Sequence, residues 1–247
     1  MCIRDSLEPL KRRVREDIES LFSKLSSPLK EILLYTMGGK MVRPIFCLLS
    51  CEASGGNWED IIPVASSVEL LHNFSLVHDD IEDGDEVRRG KPSLWKKFGI
   101  PHAINAGDAL HALSRLSILR MRDERVKKAL SLIDEVSIMM SEGQFDDLSY
   151  KGDNPDKYIE IARKKTGSLF FLSFELGLLF GGGGSGDFGY DFGIAYQIKN
   201  DIMEGRGGSY ELSLHYLERA IEGLFKNLPP SQARDDIYEL MNKLIRG

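Results

Sequence analysis

LLHNFSLVHDDIEDGDEVRR, residues 70–89, drives a cluster of carboxylates and then two arginines out of an apolar helical run. Val64, Val68, Leu71, Ser75 and Leu76 recur at helical spacing among small or apolar neighbours, so the helix meets its acidic end from a buried side. Asp79, Asp80 and Asp83 stand at i, i+1 and i+4, and at about 100° per residue the first and last fall within about 40° of each other. Like charges on one face repel unless a cation lies between them. Oxygen-only ligands suit a hard ion such as Mg²⁺, which keeps waters and bridges to substrate phosphates. Arg88 and Arg89 follow closely, and guanidinium forks bind phosphate oxygens bidentately. Acid followed by base points to a metal-bridged diphosphate; read alone, DDIED is equally a solvated helix end.

The composition sets limits around that reading. A chain of 247 residues, 42% of them hydrophobic, buries a sizeable core and suits one large domain. With a net charge of −6 and only short basic clusters inside helical patterns, no nucleic-acid partner is expected. No apolar stretch reaches the length of a transmembrane segment, and the opening MCIRDS lacks a signal peptide's hydrophobic centre. Those residues, 1–6, fit no helical pattern and read as a non-native or disordered start ahead of one domain over residues 7–247. Beside Cys2, Cys47 and Cys51 stand four apart in an apolar run and read as packed thiols, not a disulfide. A cytoplasmic protein is expected.

Elsewhere the period is helical almost throughout. Helices are predicted over Leu7–Leu25, Pro28–Met37 and Pro44–Ala53, around Pro101–Met121, and from Glu124 to Gly143. Tyr158–Phe180 is a long apolar segment with an expected break near Thr166-Gly167, followed by helices over Tyr190–Glu204, Tyr210–Asn227 and Pro230–Arg246. Little reads as strand and there is no internal repeat. The expected fold is all-α, an antiparallel bundle with ligand sites formed by inward-facing residues of opposed helices.

Two further clusters suit an anionic ligand, and two more are polar or acidic. Gly38-Gly39-Lys40-Met41-Val42-Arg43-Pro44 puts a flexible turn and two cations before a helix start, which fits a second diphosphate or, alternatively, a glycine C-cap with exposed basic residues. Lys164, Lys165 and Thr166 lie inside an apolar stretch, where burying them unpaired is costly. Gly143-Gln144-Phe145-Asp146-Asp147 is read as a helix end, and Tyr196 to Glu204 supplies a second polar and acidic group able to face the first across a cavity.

In order from about Lys30 to Glu204, the segments GGKMVRP, VELLHNFSLVHDDIED, RRGKPS, INAGDAL, GQFDDL, KKTGSLF and AYQIKNDIME resemble the polyprenyl synthetase family of trans-isoprenyl diphosphate synthases. The resemblance implies the isoprenoid synthase fold, an all-α barrel of antiparallel helices around a deep central cavity. It implies a homodimer, or a heteromer, acting on isopentenyl diphosphate and an allylic prenyl diphosphate with Mg²⁺ or Mn²⁺. Carried over by position, Asp79, Asp80, Asp83, Arg88 and Lys165 are the catalytic set, and Asp79, Asp83, Asn200, Asp201 and Glu204 the metal ligands. Lys40, Arg43, His72 and Arg89 fall to isopentenyl diphosphate; Arg88, Lys165, Thr166 and Gln197 fall to the allylic diphosphate.

The implied chemistry is loss of diphosphate to an allylic cation, attack by the isopentenyl double bond, and loss of a proton, with water excluded. Phe74, Ser75, Phe170 and Phe171 are candidate cavity walls. Phe74 lies about 7.5 Å before Asp79 along the helix and reads as a chain-length floor, with small Ser75 leaving room beside it, so geranylgeranyl diphosphate is the expected product and farnesyl diphosphate the next. Two departures from the family pattern stand out. Asn200 and Glu204 replace aspartates of the second motif. The chain is also shortened after residue 204, where family members carry lysines over the diphosphate and Arg206 is the available substitute. A regulatory subunit of a heteromeric synthase is therefore the alternative, with a class I terpene cyclase third because Lys40, Arg43 and Arg89 would have no second diphosphate to hold.

Overall fold

The computed structural model describes residues 3–152 and 154–247. The described residues form twelve α-helices: α1 (Ile3–Phe22), α2 (Ser27–Thr36), α3 (Val42–Ala53), α4 (Ile62–Glu82), α5 (Leu94–Phe98), α6 (Ile100–Leu119), α7 (Val126–Ser149), α8 (Pro155–Ala162), α9 (Ser168–Gly181), α10 (Phe188–Met203), α11 (Tyr210–Asn227) and α12 (Gln232–Arg246). Their only strand pairing is the short antiparallel contact of Val87–Arg88 with Lys91–Pro92. The all-α expectation holds. None of the described helices is long and apolar enough to cross a membrane.

Helices α3, α4 and α9 are buried along most of their length and form the inside of the bundle, where one core joins residues from Leu7 to Ile245. In α9, Leu169, Phe170, Leu172, Phe174, Leu176 and Leu178 are all buried, as a helix enclosed on every side requires. The closing helices α11 and α12 are amphipathic instead, burying Leu217, Ala220 and Leu224 on one and Ile237, Met241 and Ile245 on the other. Both begin with side-chain caps: Ser209 Oγ accepts from Leu212 N–H and Ser231 Oγ from Arg234 N–H, each at 3.2 Å. Cys47 and Cys51 are buried free thiols within α3.

Four expectations change. Helix α1 already begins at Ile3, so residues 3–6 are helical; Met1 and Cys2 lie outside the described residues. Short α5 is not legible in the sequence, because five residues between glycine and proline signals carry no readable period. Helix α7 runs on to Ser149 and does not end at Gly143. Between α8 and α9 the chain does not break: Arg163–Gly167 is a π-helical turn, with Ser168 N–H donating to Arg163 O. Such a widened turn keeps the helix continuous while displacing side chains from the regular spiral, and π-turns frequently occur at functional sites. Helix α10 lies directly on it, since a Cβ on Gly193 would stand 2.4 Å from the Cα of Gly167.

Candidate active site

The acidic end of α4, the start of α3, the π-turn and the second half of α10 surround one cavity of about 760 Å³. Asp79 and Asp83 share a face and both line it, as their i, i+4 spacing requires. Burial raises the Asp79 pKa to about 7 against the pull of Lys165, and the Asp83 and Glu82 carboxylates add to the rise. Across from them Lys165 Nζ lies 2.8 Å from Asp147 Oδ2 and 3.9 Å from Asp83 Oδ2. Burial alone would lower the Lys165 pKa, but Asp79, Asp147 and Asp83 raise it overall. Gln144, inside the overrunning α7, donates to Asp83 Oδ1 at 3.1 Å. Asp80 points elsewhere: it is 3% exposed, does not line the cavity, and accepts from Arg88 Nε at 2.7 Å and from Arg88 Nη2.

Gln197 and Asn200 of α10 and Glu204 at its C-cap recur at i, i+3 and i+7 and line the opposite wall. Thr166 Oγ1 donates to Gln197 Oε1 at 2.6 Å, tying the π-turn to this wall. Asp201 is not on it. At 7% exposure, its carboxylate accepts from Tyr158 Oη at 2.5 Å, Gln197 Nε2 at 3.0 Å and Arg206 Nη2 at 2.7 Å. The expected ligand set of the second motif thus meets the cavity through Asn200 and Glu204, with Asp201 held behind them by protein donors.

The cationic side is built on α3 and the segment after α4. Met41, at φ 51°, turns the chain into α3 and leaves Lys40 and Arg43 facing the cavity. The Arg43 guanidinium lies 4.4 Å from the centroid of the Phe170 ring and donates from Nη1 to His72 Nε2 at 3.2 Å. That bond needs a neutral imidazole, and burial followed by the charges of Arg43 and Arg89 holds the His72 pKa well below its usual value. Arg89, itself at φ 54°, donates to Thr36 O at 3.1 Å and lies over Gly39, where any Cβ would sit 2.9 Å from Cζ. Glu69, 1% exposed, also lines the cavity; Asn73 Nδ2 donates to its Oε1 at 3.1 Å while Oε2 has no partner. Sequence reasoning passed over Glu69, although a lone carboxylate within IPVASSVELL is a signal in itself. Tyr158 was missed as well, while Asp147 and Tyr196 were quoted within their segments without a role of their own.

A second cavity of about 240 Å³ shares Ser75, Asp79 and Lys165 with the first and is otherwise lined by residues including Phe74, Met140, Phe145 and Leu148. The Phe74 ring stands 4.9 Å from each of the His78 and His111 rings. Two expected wall residues are elsewhere. Phe170 is fully buried beneath Arg43, and Phe171 stacks on Tyr190 with centroids 4.5 Å apart.

A family model described as polyprenyl synthetase matches residues 26–217, the span that carries all of these groups. The chain belongs to the polyprenyl synthetase family. Among its relatives in that family, a short chain isoprenyl diphosphate synthase of Methanothermobacter thermautotrophicus is 36% identical over 212 residues, covering 82% of this chain and 65% of the relative. A geranylgeranyl pyrophosphate synthase of Geoglobus acetivorans is 41% identical over 179 residues, covering 68% of this chain and 56% of the relative. The chain thus spans 56 to 65% of the length of these curated polyprenyl synthetase relatives. The solved geranylgeranyl pyrophosphate synthetase of Pyrococcus horikoshii superposes with a TM-score of 0.90 at 26% identity, over 99% of this chain and 98% of the other. The isoprenoid synthase fold is shared.

Proposed function

We propose that this chain is a short-chain prenyltransferase that joins isopentenyl diphosphate head-to-tail to an allylic diphosphate, giving geranylgeranyl or farnesyl diphosphate. One observation carries the reading: an acidic wall, a cationic wall and an apolar side pocket meet at Ser75, Asp79 and Lys165. Arg88, Lys165, Thr166 and Gln197 would hold the allylic diphosphate at the mouth of the apolar pocket. Lys40, Arg43, His72 and Arg89 would hold isopentenyl diphosphate, with neutral His72 orienting the Arg43 fork. The hydrocarbon tail enters the pocket over Ser75 toward Phe74, where buried Met140 helps to keep water from the allylic cation. No protein nucleophile is needed, because the released diphosphate takes the proton.

The oxygen donors fit a hard divalent ion. Asp79 and Asp83 on one wall and Asn200 and Glu204 on the other face a shared polar space with room for waters. Among the described residues no three His, Cys, Asp or Glu side chains are already drawn together. When bound, Mg²⁺ or Mn²⁺ supplies charge neutralisation for the departing group. Apolar side chains exposed on α6 and α7, Leu116, Leu119 and Ile138, support a homodimer, which sedimentation of the purified protein tests.

The withdrawal of Asp201 and the neutral Asn200 favour a second reading, a binding subunit that needs a catalytic partner. The deciding experiment incubates purified protein with labelled isopentenyl diphosphate and each allylic starter, with and without Mg²⁺. Dephosphorylated products are then separated. Metal-dependent elongation by the protein alone, lost in Asp79→Ala, supports the enzyme; binding without turnover supports the subunit.

A further inference from the structure

Arg206 stands on the Gly205–Gly208 loop directly after α10, and its guanidinium engages both carboxylates of the second acidic group. Nη2 lies 2.7 Å from Asp201 Oδ1 and 2.7 Å from Glu204 Oε2, with Nε 3.0 Å from Asp201 Oδ1. The same side chain lines the large cavity and is 59% exposed. Gly205, Gly207 and Gly208 sit at φ 72°, 102° and 113°, conformations open to glycine, so the loop re-routes at little steric cost. Asp201 keeps Tyr158 and Gln197 as donors if Arg206 departs. A guanidinium and a divalent ion, by contrast, cannot both sit against Glu204 without repulsion.

We propose that Arg206 is the built-in counter-ion of the second acidic group, displaced when a divalent ion takes Asn200 and Glu204 and then captured by the diphosphate in the same cavity. The proposal rests on the prenyl-transfer reading and adds to it a residue that contacts substrate only after the metal has loaded. The guanidinium changes partners, from two carboxylates to phosphate oxygens that accept its fork bidentately.

Calorimetric titration of Mn²⁺ alone, and of inorganic pyrophosphate in saturating Mg²⁺, tests it on the full chain with Arg206→Gln and Arg206→Lys. In Arg206→Gln, Mn²⁺ alone should bind about two- to fivefold tighter, since an exposed ion pair no longer competes. Pyrophosphate should bind roughly tenfold weaker, the scale of a charged hydrogen bond lost, with Arg206→Lys between the two. In the wild type, tryptic cleavage after Arg206 should accelerate with Mn²⁺ and slow again once pyrophosphate is added. Unchanged affinities in Arg206→Gln, where the wild type binds both probes, would overturn the counter-ion assignment and leave the prenyl-transfer reading standing. A wild type that binds neither probe would overturn both.

Discussion

Glu69 is a buried carboxyl with one oxygen unpartnered, and burial lifts its pKa from 4.5 to about 7 even with Asn73, Arg89 and Arg43 pulling the other way. A carboxyl whose folded pKa lies above its unfolded one costs stability that is absent below about pH 4, grows as pH rises, and levels off above about 7. Glu69→Gln removes the charge in nearly the same volume. The variant should therefore melt higher than wild type at pH 8, by at most roughly 3 kcal/mol, with the gain shrinking toward zero near pH 4. At Phe74, truncation opens the space against His78 and His111. Phe74→Ala should lengthen the main product and cost about 3 kcal/mol in stability, read by product chromatography and urea unfolding; an unchanged product spectrum would remove the floor assignment. Gly39 is bound to its place by the Arg89 fork and a φ of 89°. Gly39→Ala should raise the KM for isopentenyl diphosphate roughly tenfold with little change in kcat, because it displaces a ground-state contact.

Among the elements, the π-turn decides how the polar groups of α9's approach reach the cavity. It presents Lys165 and Thr166 to the ligand space while Gly193 of α10 lies against its backbone. Gly193→Ala forces the two apart, and should lose about 1–3 kcal/mol of stability in urea together with pyrophosphate affinity. The apolar period could place a helix here and the glycine could mark an interruption, but an i→i+5 turn has no period of its own to read. Gly143 teaches a related lesson. By its residue type it reads as a stop signal, yet α7 continues, and a Cβ there would stand 2.7 Å from Lys165 N. The residue is small so that α7 can pass the π-turn, a need set by a neighbour distant in sequence. By contrast α11 spans Tyr210–Asn227 as expected, because its amphipathic period and Ser209 cap are both local.

At the scale of the whole molecule, α3, α4, α9's approach and α10 gather acidic and cationic side chains around one cavity, which suits a ligand that carries both charges. Mg²⁺ with inorganic pyrophosphate should therefore stabilise the chain far more than either alone, by about 2.7 kcal/mol at a hundredfold excess over Kd. Chelating the metal should reverse the gain, as thermal denaturation would show. Equal melting temperatures throughout would mean that the cavity is not a metal-diphosphate site. Sequence alone determined the all-α class, the acid-then-base motif and the residues sharing a face in each acidic helix, since these follow from a period of 3.6 residues and from charge. Which face turns inward was decided only by tertiary packing: Asp80 and Asp201 each lie one residue, about 100°, from a cavity-lining neighbour, and each is taken up by an arginine from the segment just after its own helix. A helix fixes angles between its own side chains, but the partner across the gap belongs to another part of the chain.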